Sequence, residues 1–260
     1  MQVGPYAVID EGVRLGANCV VGPYVYLTGD TVIGEGNRFF AGSVVGEAPQ
    51  DLKYRGENTA LRMGDNNRIR ENATVHRSAK PGCATVVGSN NLLMAGCHVA
   101  HDCVVGNFVI LANGALLGGH VEVGDRAVIS GNCLVHQFVR VGTLAMMQGG
   151  SAISQDLPPY TVAMGDNTLC GLNTIGLRRA GMTPAERLEL KQLYRALFRS
   201  HLALRNAVEQ AETTFSSAPA RKFLEFVKAT RRGICGDISS MRSSRGAREE
   251  NEAGESAEQD

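Results

Sequence analysis

Counted from Val3, a large apolar residue recurs at every sixth position as far as Ile153. The column runs Val3, Ile9, Leu15, Val21, Leu27, Ile33, Phe39 and Val45. It continues through Met63, Ile69, Val75, Val87, Leu93, Val99, Val105, Leu111, Leu117, Val123, Ile129, Val135, Val141, Met147 and Ile153. Only Asp51, Glu57 and Pro81 break it. Neither the two-residue period of a strand nor the 3.6-residue period of a helix yields a strict six. A chain that turns a corner every six residues does, and such a fixed short period predicts a coiled β-solenoid built from hexapeptides. Gly often follows the apolar residue (Gly16, Gly22, Gly34, Gly88, Gly106, Gly118, Gly124, Gly142), which implies unusual backbone angles or close approach of neighbouring coils there. Four residues after each apolar position comes a column of small residues, among them Ala73, Cys97, Cys103, Ala115, Ala127 and Cys133. Together the two columns predict a narrow interior of layered side chains in which each coil is stabilised only by its neighbours.

The pattern divides the chain. Residues 1–159 form the solenoid, closed by Pro158-Pro159. Residues 47–62 and 77–86 lack the core pattern, yet the repeat resumes in phase after each, so both are expected to be loops thrown out from intact coils. A connector (160–182) leads to a small α-helical domain over 183–236. Thr183-Pro184-Ala185-Glu186 has the form of a capping box with Pro at the first helical position. That helix presents Leu190, Leu193 and Leu197; a second is expected near 202–212, and a third carries Phe223, Phe226 and Val227. Residues 237–260, rich in Ser, Gly and Glu, are expected to be a disordered tail. Met1 enters the repeat without a polar cap, so a partner or further segment is expected to cover the first coil.

Composition narrows the class. Acidic and basic residues balance at 26 each, which gives no general case for nucleic acid. No Cys-x-x-Cys occurs, and four of the seven cysteines fall in the small-residue column, so they read as small buried hydrophobes. Without a signal-peptide pattern or an apolar run of about 18 residues, the expected protein spans no membrane and is soluble and cytoplasmic.

A three-faced prism completes one coil in three hexapeptides, so residues 18 apart stack. His101, Gly119 and Gln137 stand in that relation, as do Asp102 and His120; His98 and His136 lie beside them. Surface polarity on a scaffold would use the same residue types. A stacked group points instead to acid/base chemistry in which a histidine takes a proton from a hydroxyl or amine and Asp102 orients it. A zinc site is a third reading, because γ-type carbonic anhydrases bind zinc with three histidines on such a solenoid.

The solenoid with its helical extension, the run Gln50-Asp51-Leu52-Lys53-Tyr54, Asn90-Asn91-Leu92-Leu93-Met94 and His98-Val99-Ala100-His101-Asp102-Cys103 resemble the UDP-N-acetylglucosamine O-acyltransferases of lipid A synthesis. Gly118-Gly119-His120-Val121, Val135-His136-Gln137-Phe138, Asp156-Leu157-Pro158-Pro159-Tyr160 and Gly171-Leu172-Asn173, followed by Gly176-Leu177-Arg178-Arg179, extend the resemblance to about residue 235. It implies a mainly β fold, a left-handed parallel β-helix followed by a small α-helical C-terminal domain, assembled as a homotrimer with sites between subunits. It implies transfer of a (3-hydroxy)acyl chain from acyl carrier protein to the sugar 3-hydroxyl, with no cofactor and no metal. By the same resemblance His101 is the general base, Asp102 orients it, and the Gly119 N–H stabilises the oxyanion. His98, His120 and Asp51 would hold the sugar; Lys53, His136 and Gln137 would serve the nucleotide-sugar and its phosphates; Asn173 and Arg179 would reach in from a neighbouring chain. Ile175 and Ala180 depart from the family, which carries an acidic residue and a further Arg at these places.

Gly149 matches the position that caps the acyl groove in relatives, where a small residue leaves room for a longer chain; a Gly also suits a plain corner. Arg187, Lys191, Arg195 and Arg199 form a basic stripe every four residues, either a solvated face or a dock for acidic acyl carrier protein. Three alternatives stay open: the N-acyltransferase acting on the 3-O-acylated sugar, whose usual N-terminal uridine-binding domain has no room here; a non-catalytic hexapeptide scaffold; and the zinc enzyme. Acyl length, and a 3-hydroxy or 3-amino acceptor, are not fixed by these motifs.

Overall fold

The computed structural model describes residues 1–200 and 202–239. Residues 1–153 wind as a left-handed β-helix whose three faces are parallel sheets. The register is the 18-residue coil: Gln2 pairs with Val20, Val20 with Arg38, His98 with Leu116 and Leu116 with Leu134. Most strands are two residues long, because the chain must turn again within six. Val3 in the first coil is 50% exposed, whereas the apolar column is buried from the second coil on: Leu27, Val45, Ile69, Val75, Leu93, Val99, Leu111 and Ile129 are fully buried. So are Cys103 and Cys133 in the small column, and all seven cysteines are free thiols.

The two possibilities for the glycines separate at most coils, although Gly46 combines both (φ 87°). The Gly after the apolar residue is there for close approach: a Cβ at Gly118 would lie 2.8 Å from the backbone N of Gln137 on the next coil. The left-handed backbone sits two residues further on, at Asp102 (φ 59°), His120 (φ 60°) and Phe138 (φ 65°). Non-glycine residues rarely adopt it, and here most corners of the coil impose it.

Where the small column is interrupted, asparagines fill it. The Asn37 side chain accepts from the Asn67 N–H, Asn67 accepts from the Asn91 N–H, and Asn91 accepts from the Val109 N–H, each at 2.7–2.9 Å. This ladder satisfies buried donors that the small residues elsewhere leave to the backbone.

Both loops are shorter than the sequence pattern implies. Strands Val44–Glu47 and Ala60–Met63 bound the first, which spans 48–59; Thr74–His76 and Ala84–Val87 bound the second, at 77–83. Leu61 and Thr85 are fully buried, because these four-residue strands contribute the small-column residue as well as the apolar one. Asp51, Glu57 and Pro81, the three breaks in the register, all fall in the loops.

The connector is not free of structure. Thr161–Ala163 continues the first face in parallel, Thr168–Leu172 adds an antiparallel strand, and Gly236–Asp237 pairs with it. The described residues hold four helices: α1 (Thr174–Arg179) in the connector, and the three expected over 183–236, α2 (Pro184–Phe198), α3 (Leu204–Thr214) and α4 (Ala218–Lys228). The first, α1, is a short turn capped by Asn173. The capping box at Thr183 and Glu186 is formed in both directions. Helices α2, α3 and α4 bury Leu190, Leu193, Leu197, Val208, Phe223, Leu224 and Val227 against one another and the last coil.

Polar ties fasten this domain to the solenoid. Arg140 donates two bonds to the buried Asp156 carboxylate (3.0 and 2.7 Å) and one to the Phe226 carbonyl, while Thr230 donates to the same Asp156 oxygen. Tyr194 donates to Asp237 at 2.5 Å and Arg199 pairs with it. The expected tail boundary therefore moves: Asp237 is a buried strand residue, and 240–260 lie outside the described residues. Among the described residues no helix is long and apolar enough to cross a membrane.

Candidate active site

The site lies where the second face turns its corner on three successive coils. Strands His98–Val99, Leu116–Leu117 and Leu134–Val135 stack in parallel, and the turns that follow present His101-Asp102, Gly119-His120 and His136-Gln137-Phe138.

His101 is held by its neighbour: Nδ1 lies 2.7 Å from Asp102 Oδ2, with both side chains largely buried. An ionised carboxylate only accepts, so Nδ1 carries a proton, and in the neutral imidazole Nε2 keeps a lone pair. That Nε2 faces Gly119, where an added Cβ would lie 2.7 Å from it and 2.6 Å from Cε1. Gly119 is buried, and no group among the described residues accepts its N–H. At equivalent corners the N–H of Glu35, Ser89 and Asn107 is taken by Asp65, Asn107 and Asp125 from the following coil. Gln137, the equivalent residue above Gly119, makes no such bond. The corner thus leaves a basic nitrogen and a free buried N–H side by side.

Asp102 sits at the centre of the hydrogen bonding. Burial pushes its carboxyl upward, but hydrogen bonds from Ser78, His101 and the Ala79 N–H, with the nearby His120 charge, outweigh this and hold it below the usual carboxylate range. Its own N–H donates to Thr85 Oγ1 at 2.8 Å. His120 Nε2 is 3.7 Å from Asp102 Oδ2; its ring meets His101 edge-on at 5.3 Å and stacks on Phe138 at 4.5 Å.

Beside this pair runs a groove of about 760 Å³, a size usual for small-molecule sites. His98, His101, Gly119, His136 and Gln137 supply its polar wall, and Leu116, Leu134, Ala152 and Ile153 its apolar one. Leu116 and Leu134 are 40% and 50% exposed, an open apolar stripe that continues upward from the polar corner. His98 Nδ1 lies 2.7 Å from the Thr74 hydroxyl. Burial, then the neighbouring His76 and His101, depress its pKa to about 4, so it is a neutral hydrogen-bonding group at neutral pH.

Of the residues the sequence singles out, His98, His101, Gly119, His136 and Gln137 line the groove and Asp102 backs it. His120 turns across the corner ridge into a neighbouring cavity with Phe138, Arg140, Arg231 and Arg232. Asp51 and Lys53 do not line the groove; Gln50 from the same loop does, and Asp51 Oδ1 accepts the Lys53 N–H within the loop. Gly149 lies outside the groove lining of a single chain, as does exposed Arg179 on α1. Asn173 serves its own helix and the coil beneath it, because its side chain accepts from the Gly176 N–H and donates to the Leu144 carbonyl. Arg187, Lys191, Arg195 and Arg199 line a second groove together with Leu172, Leu177 and Leu188, although Arg199 is already paired with Asp237.

Sequence reasoning missed Ser78, Thr85, Thr74, His76 and Gln50. Loop 77–83 lengthens its coil to 24 residues, so Thr74 meets His98 and Ser78 meets Asp102 across that spacing, invisible to a ruler of 18. His101, Asp102 and His120 also bring one ligand-type atom each within 4.8 Å. The Asp102 oxygens are engaged by Ser78, Ala79 and His101, an arrangement of relayed hydrogen bonds rather than of open lone pairs.

Comparison with known proteins identifies the family. Residues 156–235 match the family described as "Udp N-acetylglucosamine O-acyltransferase; Domain 2", and residues 84–119 match the bacterial transferase hexapeptide repeat. The chain is 42% identical over 236 residues to the acyl-[acyl-carrier-protein]–UDP-N-acetylglucosamine O-acyltransferase of Thermodesulfovibrio yellowstonii, covering 90% of this chain and 92% of that protein. It is 46% identical to the same enzyme of Gloeothece citriformis, over 78% of this chain and 74% of the relative. The crystal structure of the UDP-N-acetylglucosamine O-acyltransferase of Moraxella catarrhalis superposes with a TM-score of 0.86 at 37% identity, covering 90% of this chain and 92% of that one. With the fold and these likenesses in agreement, the chain belongs to the UDP-N-acetylglucosamine O-acyltransferase family.

Proposed function

We propose that this chain transfers an acyl group from acyl carrier protein to the 3-hydroxyl of UDP-N-acetylglucosamine in lipid A biosynthesis, with His101 as general base. The observation that carries the reading is the pairing of His101 Nε2, whose other nitrogen is tied to Asp102, with the unpartnered N–H of Gly119. Nε2 takes the proton of the acceptor hydroxyl as its oxygen attacks the thioester carbonyl. The carbonyl oxygen gains negative charge, and the Gly119 N–H, with no bond to give up, receives it. Collapse breaks the C–S bond, and the departing thiolate takes the proton back from His101. His98, neutral and anchored on Thr74, and exposed His136 and Gln137 hold the nucleotide-sugar. The apolar stripe of Leu116, Leu134 and Ala152 takes the acyl chain.

A homotrimer with sites between subunits fits the open outer side of this groove, because a second chain would cover Leu116 and Leu134 and could bring Arg179, Asn173, Asp51 and Lys53 toward it. Acyl carrier protein docks on the α2 stripe of Arg187, Lys191 and Arg195, whose charge suits an acidic partner. Reversing two of these charges should raise the Michaelis constant for the carrier, more so at low salt.

The test is direct. Purified protein is incubated with acyl carrier thioesters of several lengths and with UDP-N-acetylglucosamine or its 3-amino analogue, and products are weighed by mass spectrometry. Expected are a 3-O-acyl product, loss of turnover in His101→Ala with the assembly unchanged in sedimentation, and indifference to chelators. Acylation only of a 3-O-acylated acceptor would establish the N-acyltransferase instead; loss of bound zinc and activity together would establish the metal enzyme. Full activity in His101→Ala would refute the mechanism.

A further inference from the structure

We propose that Ser78 is a positioning residue for the reaction, locking the Asp102 carboxylate so that it serves His101 rather than His120. Two imidazoles compete for one carboxylate oxygen: Asp102 Oδ2 lies 2.7 Å from His101 Nδ1 and 3.7 Å from His120 Nε2. Which of them becomes the oriented base is decided by rotation of the carboxylate about its last bond. The other oxygen, Oδ1, is held by the Ser78 hydroxyl.

Ser78 is well built for this. It is fully buried, at the start of loop 77–83, and its Oγ accepts the Lys80 N–H at 3.0 Å, which fixes the oxygen in place. Its proton has two acceptors in reach, the Lys80 carbonyl at 3.2 Å and the carboxylate; an ionised acceptor makes the stronger bond. The Ala79 N–H gives Oδ2 a longer contact at 3.2 Å, and Thr85 anchors only the Asp102 backbone. Ser78 is thus the donor on Oδ1 among the described residues, and without it that oxygen would be buried and unsatisfied. Rotation toward His120 would then relieve it, leaving His101 without its tether. The interaction reaches across the 24-residue coil, so the loop insertion itself delivers the positioning group.

The consequence for turnover rests on the acyltransferase reading; the consequence for the histidines does not. Steady-state kinetics on the full chain are measured for Ser78→Ala, Ser78→Thr, Asp102→Asn and the double variant Ser78→Ala/Asp102→Asn. Ser78→Ala is expected to lower kcat about tenfold with both KM values within about twofold, and Ser78→Thr to restore kcat. In the Asp102→Asn background Ser78→Ala should cost nothing further, because both act through one carboxylate. An equal loss in both backgrounds would overturn the proposal, as would wild-type kcat in Ser78→Ala. Should Ser78→Ala fail to melt cooperatively, Ser78→Cys, which keeps the volume but donates weakly, takes its place with the same expectations. Independently of substrate, nitrogen-15 NMR should show the hydrogen-bonded Nδ1–H of His101 in the wild type, its loss in Ser78→Ala and its return in Ser78→Thr. An unchanged His101 signal in Ser78→Ala refutes Ser78 whatever the acceptor proves to be, while absence of acyl transfer by the wild type refutes only the proposed function.

Discussion

Gly119→Ala separates the chemistry of the corner from its architecture. The added Cβ would lie 2.6 Å from His101 Cε1 and 2.7 Å from Nε2, whereas ordinary contact begins near 3.4 Å. The imidazole must therefore retreat by about 0.8 Å, and it is tethered at 2.7 Å to Asp102 on its far side. Misplacing a reacting group by about 1 Å can cost about 10²-fold in rate, which corresponds to about 2.7 kcal/mol of barrier. Folding should be nearly indifferent. Gly119 is not in the left-handed region, so Ala suits its backbone and narrows the unfolded chain, a gain of about 0.4–1 kcal/mol that offsets crowding at a side-chain tip. Gly118→Ala is the contrasting control. There the Cβ meets the Gln137 backbone N at 2.8 Å, and the coil stack itself must part. The assay pairs product formation under saturating substrates with denaturant unfolding of each variant. Gly119→Ala should lose about two orders of magnitude in kcat at near-native stability, and Gly118→Ala should lose stability. A Gly119→Ala enzyme with kcat within threefold of the wild type would refute the placement of His101 against Gly119 as the reacting geometry.

Asp156→Ala should destabilise by about 3–5 kcal/mol in chemical denaturation, because it strands Arg140 and Thr230 at the joint between solenoid and helices. Lys228→Met, which breaks the exposed pair with Glu212, should cost less than about 1 kcal/mol. His98 is depressed in the fold to about 4 from an ordinary 6.5, so its neutral form supports folding fully above pH 6.5. That support is lost as pH falls from about 6.5 to about 4, and the slope should flatten in His98→Asn; a native-like slope in that variant would assign the acid sensitivity elsewhere. Gly149→Met should shift donor preference toward shorter acyl chains in competition assays, and unchanged selectivity would remove Gly149 as the determinant of length.

Much of the site was legible because the fold repeats. Once one coil equals 18 residues, His101, Gly119 and Gln137 must stack, and the structure brings them to one groove wall. Legibility ended where the coil length changed. Loop 77–83 carries Ser78 to Asp102 across 24 residues, and nothing in the local sequence of Arg77-Ser78-Ala79 marks it as a partner of a residue one enlarged coil away. Asn173 shows what the sequence could not give: within its own chain the side chain accepts from the first turn of α1 and donates to the Leu144 carbonyl, contacts that carry no mark in the motif around it.

The sequence alone determined the period, the inward columns and the phase in which the coil resumes after each loop, because a narrow interior admits only one kind of residue at each inward position and six residues are the distance between corners. It also determined the capped helix α2, since caps and apolar spacing are local. Tertiary structure decided the rest. It fixed which of two histidines Asp102 faces, that the Gly119 N–H finds no acceptor, that an asparagine ladder fills the gaps in the small column, and that Asp156 and Asp237 fasten the helices to the last coils. Most of these depend on hydrogen bonds between residues 16 or more apart, and the period shows which positions stack without showing which of their polar atoms pair. A repeat specifies positions, whereas the pairing of polar groups across coils is settled only when the coils are stacked.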